Sequence, residues 1–145
     1  MPEHTNPTIS NCGFHHVAIF ARDFDKAVDF YTGLLGMSLR ITWQDAPNRA
    51  AMLDTGDGNY IELFEKTDKP QPAEPTKDAW FHIALRCANL DDVIQKVRNA
   101  GFPITMEPRS LNIEATNTDE SVPIRIAFFT GPEGESIELF QNETL

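Results

Sequence analysis

A short phrase that occurs twice constrains this chain more than any other feature of its sequence. Residues 58–65 read GNYIELFE and residues 134–141 read GESIELFQ, so that five of the eight positions match. An upstream echo accompanies each phrase, because HVAI begins at His16 and HIAL begins at His82. The chain therefore reads as two copies of one module, and each copy contributes one histidine and one glutamate, Glu62 in the first and Glu138 in the second.

The hydrophobic pattern predicts the same succession of elements in both copies, namely a strand, a helix and three strands. In the first copy the elements are expected at 14–21, 25–35, 37–43, 49–54 and 59–65. In the second copy they are expected at 80–87, 91–100, 102–106, 123–130 and 135–141. Caps are expected from Asp23 or Asp25 and from Asn89 or Asp91, and the helices end at Gly36 and Gly101.

The predicted organisation is a single domain over residues 1–145, with modules at about 14–65 and 80–141. A polar, proline-rich linker at 66–79 joins the modules. The histidine and the glutamate lie ten residues farther apart in the second module, and the polar stretch 107–122 accounts for the difference. We expect a loop there, and a loop of this length can cover a pocket.

Composition limits the partners that such a chain can have. The net charge is −10, from 12 basic and 22 acidic residues, which argues against a nucleic acid or an anionic membrane as the partner. No apolar run approaches the ~20 residues that a membrane span needs, and the first residues do not resemble a signal peptide. The two cysteines, Cys12 and Cys87, have no CxxC spacing, so a reduced, cytoplasmic setting is expected.

Strand alternation decides which way the repeated residues point, because successive side chains face opposite sides of a sheet. Valine, isoleucine and leucine occupy the face that a helix would cover. The opposite face carries His16, Ala18, Phe20, Tyr60, Glu62, Phe64, His82, Ala84, Arg86, Glu138 and Phe140. If the two modules curve toward each other, the two histidines and two glutamates meet in one cleft, where the alanines leave room.

Two imidazoles and two carboxylates suit one divalent first-row ion per site, namely Zn²⁺, Ni²⁺, Co²⁺, Mn²⁺ or Fe²⁺. The sequence therefore predicts a metal site formed by His16, Glu62, His82 and Glu138. Open coordination positions would hold two oxygens of a small-molecule substrate, make an adjacent C–H acidic and stabilise the enediolate. Glu138 or Glu62 is then the catalytic base, shifting from the ion to the proton.

Other interpretations of the same residues stay open. Duplication alone preserves matching residues without a site, and a one-residue slip in register would exchange His16 with His15, which is otherwise expected to be structural. Cys87 is expected to be a buried thiol. A substrate pocket is assigned to residues that would otherwise form core or an ion pair, namely Phe20, Tyr60, Phe64 and Arg86.

From about Phe14 to Gln141 the chain resembles the vicinal oxygen chelate superfamily, which includes glyoxalases, bleomycin-resistance proteins and extradiol dioxygenases. The segment from His16 through the Phe-Tyr pair at 30–31 to LLGM at 34–37 is similar to the start of glyoxalase I enzymes. FHIAL at 81–85, GPEG at 131–134 and IEL at 137–139 are similar to later glyoxalase segments. The resemblance implies a curved mixed sheet around a metal-binding cleft and assigns all four ligands, His16, Glu62, His82 and Glu138.

Because it retains all four ligands, the chain resembles the glyoxalase branch of the superfamily. Dioxygenases and fosfomycin-resistance enzymes use three ligands, epimerases usually have glutamine at position 62, and bleomycin-binding members have lost the ligands. The implied function is that of a lactoylglutathione lyase, a cytoplasmic homodimer acting on a methylglyoxal–thiol hemithioacetal. Phe20 and Lys66 depart from the arginine and asparagine that help bind glutathione in bacterial members. The alternatives are an extradiol-type dioxygenase, an epimerase, or a metal-free small-molecule binding or resistance protein.

Overall fold

The computed structural model describes residues 5–34, 36–68, 78–131 and 136–145. They form a mixed sheet of eight strands with two α-helices, so the predicted α+β class is confirmed. The elements are β1 (Gly13–Ala21), α1 (Phe24–Asp29), β2 (Ser38–Trp43), β3 (Ala50–Asp54), β4 (Tyr60–Glu65), β5 (Trp80–Arg86), α2 (Leu90–Asn99), β6 (Ile104–Glu114), β7 (Ser121–Thr130) and β8 (Ser136–Gln141). The strand order is β2-β3-β4-β1-β5-β8-β7-β6.

In the first copy, β1 runs parallel to β4, and β4 and β2 are both antiparallel to β3. The helix side of these strands is aliphatic, as the alternation predicts. Phe24 of α1 packs with Ala51, Leu53 and Leu63 in a buried cluster, and half-buried Ile19 and Ile61 extend it. Burying such side chains contributes about 1.5–3 kcal/mol each for the larger ones, which fixes the strand register.

The second copy repeats this arrangement with different side chains. β5 runs parallel to β8, and β8 is antiparallel to β7. Leu90, Val93 and Ile94 of α2 pack on Leu139 and on the buried thiol of Cys87. The Cys87 thiol is buried, as expected from the sequence, and burial raises its pKa, which favours the protonated form.

The first helix differs from the expectation at 25–35. α1 ends at Asp29, and a π-helical stretch at Phe30–Leu34 continues the chain. Asp23 is the N-cap, because its carboxylate accepts a hydrogen bond from the amide of Lys26 at 3.1 Å. The chain turns after this segment at Gly36, whose φ of +74° lies in the region that glycine adopts without strain.

The long loop expected at 107–122 is wrong, because β6 extends to Glu114 and leaves residues 115–120 as the connection to β7. Inward and outward side chains alternate in each half of this strand, and the phase changes at Arg109 and Ser110, which are both exposed. The pattern was hard to read from the sequence, because the outward positions are polar and Pro108 interrupts the run.

The 115–120 connection is tied to β2 by several hydrogen bonds. The amide of Thr116 donates to the carbonyl of Thr42 at 2.6 Å, and the amide of Thr42 donates to the Asn117 side chain at 3.1 Å. Arg40 makes two hydrogen bonds to the Glu120 carboxylate, at 2.8 and 3.1 Å. The hydrogen bond from Arg40 is the main reason that the pKa of Glu120 lies below its ordinary value. The connection is therefore held in place and does not resemble a free lid.

The chain divides into two compact units of close internal contact. One unit comprises His16–Phe81 with Ile113–Ser121, and the other comprises Met1–His15, His82–Asn112 and Val122–Leu145. Most of the expected linker and the GPEG turn fall at 69–77 and 132–135, outside the described residues. Among the described residues, none of the helices is long and apolar enough to cross a membrane.

Candidate metal centre

The first histidine and glutamate lie on neighbouring parallel strands of one unit. Ala18 of β1 stands opposite Glu62 of β4, and His16 precedes Ala18 by two residues on the same face. Strands about 4.8 Å apart and two residues of about 6.7 Å rise put the two α-carbons about 8 Å apart, which imidazole and carboxylate side chains can span. The His16 Nε2 atom lies 2.9 Å from Glu62 Oε2, and the alanine between them occupies little space.

The second histidine and glutamate have the same relationship in the other unit. Ala84 of β5 stands opposite Glu138 of β8, again with the histidine two residues earlier on the strand. His82 Nε2 lies 3.0 Å from Glu138 Oε2. The ring of Phe128, which stands opposite Glu138 on β7, meets the His82 imidazole edge-on at 5.1 Å between centroids. Both strand pairs thus present an imidazole and a carboxylate by one geometric rule.

These four side chains form a buried histidine–glutamate cluster that could hold a metal ion. His16, Glu62, His82 and Glu138 each offer one ligand atom, and these atoms all lie within 4.8 Å of one another. The four residues are between 0% and 6% exposed, so neither carboxylate is a solvated surface group. A divalent ion balances two buried carboxylates, which would otherwise be costly to desolvate.

The neighbouring histidine is not in this cluster. His15 is fully buried, and its ring lies 4.3 Å from that of Phe140, tilted by 42°. The register of β1 against β4 aligns Ala18 with Glu62, and therefore assigns His16 to the glutamate side. The exchange of roles that a register slip would produce does not occur in this structure.

The four residues expected to line a substrate pocket differ from one another in their contacts. Phe20 stacks on Phe81 at 4.7 Å between centroids, and Phe64 meets Phe81 nearly edge-on at 5.4 Å. Tyr60 is buried, at 5% exposure. The Arg86 guanidinium donates a hydrogen bond to the carbonyl of Phe14, so it takes part in holding the backbone in its own unit.

An ion pair is repeated in both copies and was missed in the sequence. Arg49 bonds Asp25 at the start of α1 at 2.9 Å, and Arg125 bonds Asp91 at the start of α2 at 2.6 Å. The two aspartates are separated by the same 66 positions as the two histidines, and the two arginines by the same 76 positions as the two glutamates. These equal separations were the signal available in the sequence.

The first copy adds a third member to this ion pair. Arg49 also makes hydrogen bonds to both oxygens of Glu65, at 2.8 and 3.0 Å, while its guanidinium lies 4.6 Å from the centre of the Phe24 ring. The hydrogen bond from Arg49 is the main reason that the pKa of Glu65 lies below its ordinary value. In the second copy, Gln141 stands at the position equivalent to Glu65, opposite Arg125.

The comparisons with known proteins agree with this fold. The sequence model of the "Glyoxalase/Bleomycin resistance protein/Dioxygenase superfamily" matches residues 13–139, and the chain belongs to this superfamily. The resemblance inferred from the repeated residues is therefore confirmed.

The relatives carry more than one activity in their names. A "Probable lactoylglutathione lyase" of Vibrio cholerae is 30% identical over 138 residues, covering 93% of this chain and 94% of the relative. A "2-epi-5-epi-valiolone epimerase" of an Actinomyces species is 29% identical, covering 86% of this chain and 76% of the relative. Lyases and epimerases are thus both among the relatives.

A solved structure supports the fold alone. The methylmalonyl-CoA epimerase of Mycobacterium tuberculosis superposes with a TM-score of 0.71 at 23% identity, covering 97% of this chain and 94% of that chain. The superposition supports the eight-stranded mixed architecture, and at this identity it carries no statement about substrate.

Proposed function

We propose that the protein is a metal-dependent lyase or isomerase of glyoxalase type, which moves a proton between adjacent carbons of a vicinal-oxygen substrate. The observation that carries the proposal is the buried cluster of His16, Glu62, His82 and Glu138, whose ligand atoms lie within 4.8 Å of one another. The relative named as a lactoylglutathione lyase supports the same reaction type.

The donor set fits a divalent first-row ion, because it combines two borderline nitrogen ligands with two hard oxygen ligands. Bonds of about 2.1 Å keep the ligand atoms of one ion within about 4.2 Å of one another. The largest separation in the cluster is 4.8 Å, so the side chains would have to adjust by only about half an ångström. Zn²⁺, Ni²⁺, Co²⁺, Mn²⁺ and Fe²⁺ all remain candidates.

When bound, the ion supplies Lewis acidity to the two substrate oxygens. The chain would supply the proton transfer through Glu62 or Glu138, the two carboxylates of the candidate metal site. One of them removes the C–H proton and returns it to the neighbouring carbon, while His16 and His82 keep the donor set in place. Ala18 and Ala84, each fully buried, keep this face of the strands clear of bulky side chains.

The thiol of the substrate is a separate part of the proposal. Lactoylglutathione lyase activity is the leading named reaction, since a relative carries that name. Phe20 and Lys66 depart from the residues that help bind glutathione in the glutathione-using enzymes that this chain resembles. We therefore propose a methylglyoxal–thiol hemithioacetal as the substrate class and leave the thiol to the assay.

An epimerase is the second candidate, supported by the valiolone epimerase relative at 29% identity. An epimerase also removes a proton from a carbon beside a carbonyl group, and it returns the proton to the opposite face of the same carbon. Exchange of substrate hydrogen with deuterium from solvent, without formation of a thioester, would favour this reaction.

The test begins with metal analysis of the purified protein after loading with each of the five ions. The loaded protein is then assayed with methylglyoxal and glutathione, cysteine or another low-molecular-weight thiol, monitoring thioester formation. We expect about one ion per site and turnover with at least one thiol. Unchanged metal content in a His82→Ala, Glu138→Ala double variant would contradict the proposed site.

A homodimer and a cytoplasmic location remain predictions that accompany this function. Mixing a His16→Ala variant with a Glu138→Ala variant tests whether the four candidate ligands of one site come from one chain. Unrestored activity would mean that each chain forms its own site. Recovered activity would mean that two chains share each site.

A further inference from the structure

A row of aromatic side chains crosses the first copy beside His16 and Glu62. The strand registers align Trp43 with Ala50, Ala50 with Phe64, and Phe64 with Phe20. Phe64 follows Glu62 by two residues, so the rings lie on the same face as the candidate ligands and one row further along the strands. The row therefore occupies the position that a substituent of a ligand held at this pair would reach.

The rings of this row are in continuous contact. Trp43 meets Phe64 edge-on at 6.2 Å, because the small side chain of Ala50 separates them. Phe81 joins the row by stacking on Phe20 at an interplanar angle of 19° and by meeting Phe64 at 72°. Stacked and edge-on contacts together are the arrangement that surrounds a planar aromatic group most favourably.

The rings are also accessible, in contrast to the neighbouring ligands. Phe81 is 40% exposed, whereas His16 is fully buried and Glu62 is 5% exposed. The other three rings are half-buried. Exposed aromatic side chains grouped next to buried polar ones are typical of small-molecule sites, where the polar groups orient the ligand and the rings bind its apolar part.

The charge beside the row does not suit a peptide substrate with several carboxylates. Lys66 Nζ lies 6.0 Å from the centre of the Phe20 ring and 3.7 Å from the carboxylate of Asp68. This cation is thus already close to an acid of the same chain. The chain as a whole has a net charge of −10, which further disfavours an anionic substituent.

We propose that the row of Trp43, Phe64, Phe20 and Phe81 binds an aryl group attached to the vicinal-oxygen part of the substrate. This inference rests on the proposed function, and it names aryl-substituted compounds as the substrate class of that same site. The aryl ring of the substrate lies against the phenylalanines, while the two vicinal oxygens of the substrate face the histidine–glutamate cluster.

The experiment uses two hydroxamates that chelate a metal through the same two oxygens and differ only in their substituent. Benzohydroxamate carries a phenyl group and acetohydroxamate a methyl group. Each is titrated calorimetrically into the full-length protein loaded with Co²⁺ or Ni²⁺. We expect benzohydroxamate to bind at least about tenfold more tightly, from aromatic contacts and additional apolar burial.

Two variants and a control assign the preference to the row. Phe81→Ala removes a partly exposed ring and should reduce the preference to about threefold or less, and Phe20→Leu should also weaken it while filling the same space. Phe102→Ala is the matched control, because Phe102 is 40% exposed, as Phe81 is, and lines a cavity with Val93 and Val97 of α2 that contains none of the row's rings. It should keep the wild-type preference.

The outcomes separate this inference from the proposed function. Metal uptake with equal affinity for the two hydroxamates would overturn the aryl subsite and leave the metal site intact. A preference that survives Phe81→Ala and Phe20→Leu would also overturn it. Failure of the protein to bind any of the metals would overturn the proposed function, and the subsite as its substrate site would be rejected with it.

Discussion

In the first copy, the residue four positions after the histidine is Phe20, whose ring stacks on Phe81. In the second copy it is Arg86, whose guanidinium bonds the carbonyl of Phe14. The preceding positions on the same face are identical in both copies, a histidine and an alanine, and each histidine approaches its glutamate at 2.9 or 3.0 Å. The copies have therefore kept the donor atoms and diverged immediately beyond them, where a substrate's substituents would lie.

The helix starts show a second divergence, in which equivalent residues have exchanged duties. In the first copy Asp23 caps α1, and Glu65 binds Arg49. In the second copy Asn89 instead bonds the N-terminal segment, accepting from the amide of Ser10 at 2.9 Å. Gln141 then accepts a hydrogen bond from the amide of Leu90 at 3.1 Å, which replaces the missing cap. Both helices are therefore capped, α1 by the residue that precedes it and α2 by a residue of β8.

The sharpest test of the similarity between the copies replaces each glutamate with glutamine. Glu62→Gln and Glu138→Gln retain a ligand oxygen but cannot accept a proton, so metal affinity should fall by a similar factor in both. A general base contributes about 10²–10⁴-fold, so kcat should fall by this amount in one variant and by less in the other. Steady-state kinetics of the metal-saturated variants measures the fall in kcat, and equal falls in the two variants would contradict a single catalytic base.

The repeated arginine–aspartate pair should contribute unequally to stability. Arg49→Met leaves the Glu65 carboxylate, which is only 6% exposed, without its hydrogen bonds, and we expect a loss of about 1–3 kcal/mol. Arg125→Met affects a partner that is 66% exposed, so the loss should be below about 1 kcal/mol. Urea denaturation compares the two variants, and a larger loss in Arg125→Met would reverse the assignment.

The exchanged caps predict two local losses of similar size. Asp23→Ala should cost about 1 kcal/mol and speed hydrogen exchange at the Lys26 amide, because that amide loses its acceptor. Gln141→Ala should cost about 0.5–1.5 kcal/mol and speed exchange at the Leu90 amide. Asn89→Ala is the control. Faster Leu90 exchange in that variant, with no change in Gln141→Ala, would mean that Asn89 supplies the cap.

The smallest expected effect is a difference in pH dependence between wild type and Glu65→Gln. Because Arg49 lowers the pKa of folded Glu65, the folded state binds the proton less tightly than the unfolded state. The stabilisation that ionised Glu65 gains from Arg49 is present above its unfolded-state pKa of about 4.3 and is lost as the pH falls through its folded-state pKa. Urea midpoints between about pH 6 and pH 3 should fall more steeply for wild type. Parallel curves would contradict the coupling.

Much of the fold could be predicted, because the repeat gave each element two chances to be recognised. The strands carrying His16, Glu62, His82 and Glu138 place aliphatic residues at every second position around these ligands, so the presence of the strands and the direction of their side chains were readable. The continuation of β6 to Glu114 was not, since a strand with polar outward positions has the composition of a loop.

The site could be predicted as a set of residues but only partly as an arrangement. The duplicated phrase and the alternation identified the four cluster members. Phe81 was overlooked as a partner of Phe20 and Phe64, because a contact between rings on different strands depends on register and twist. The arginine–aspartate pair was overlooked because its members lie far apart in sequence and outside the repeated phrase.

The hydrogen bonds between the 115–120 connection and β2 bear on self-association. β2 ends the strand order, and a terminal strand offers its unpaired backbone groups to any other extended chain. Here Thr116 and Asn117 bind the amide and carbonyl of Thr42, and Asn117 also reaches the carbonyl of Arg40. The 115–120 connection of the second copy thus covers part of β2, the edge strand of the first copy. A fragment ending at residue 68 would lack this cover, and we expect it to aggregate through β2.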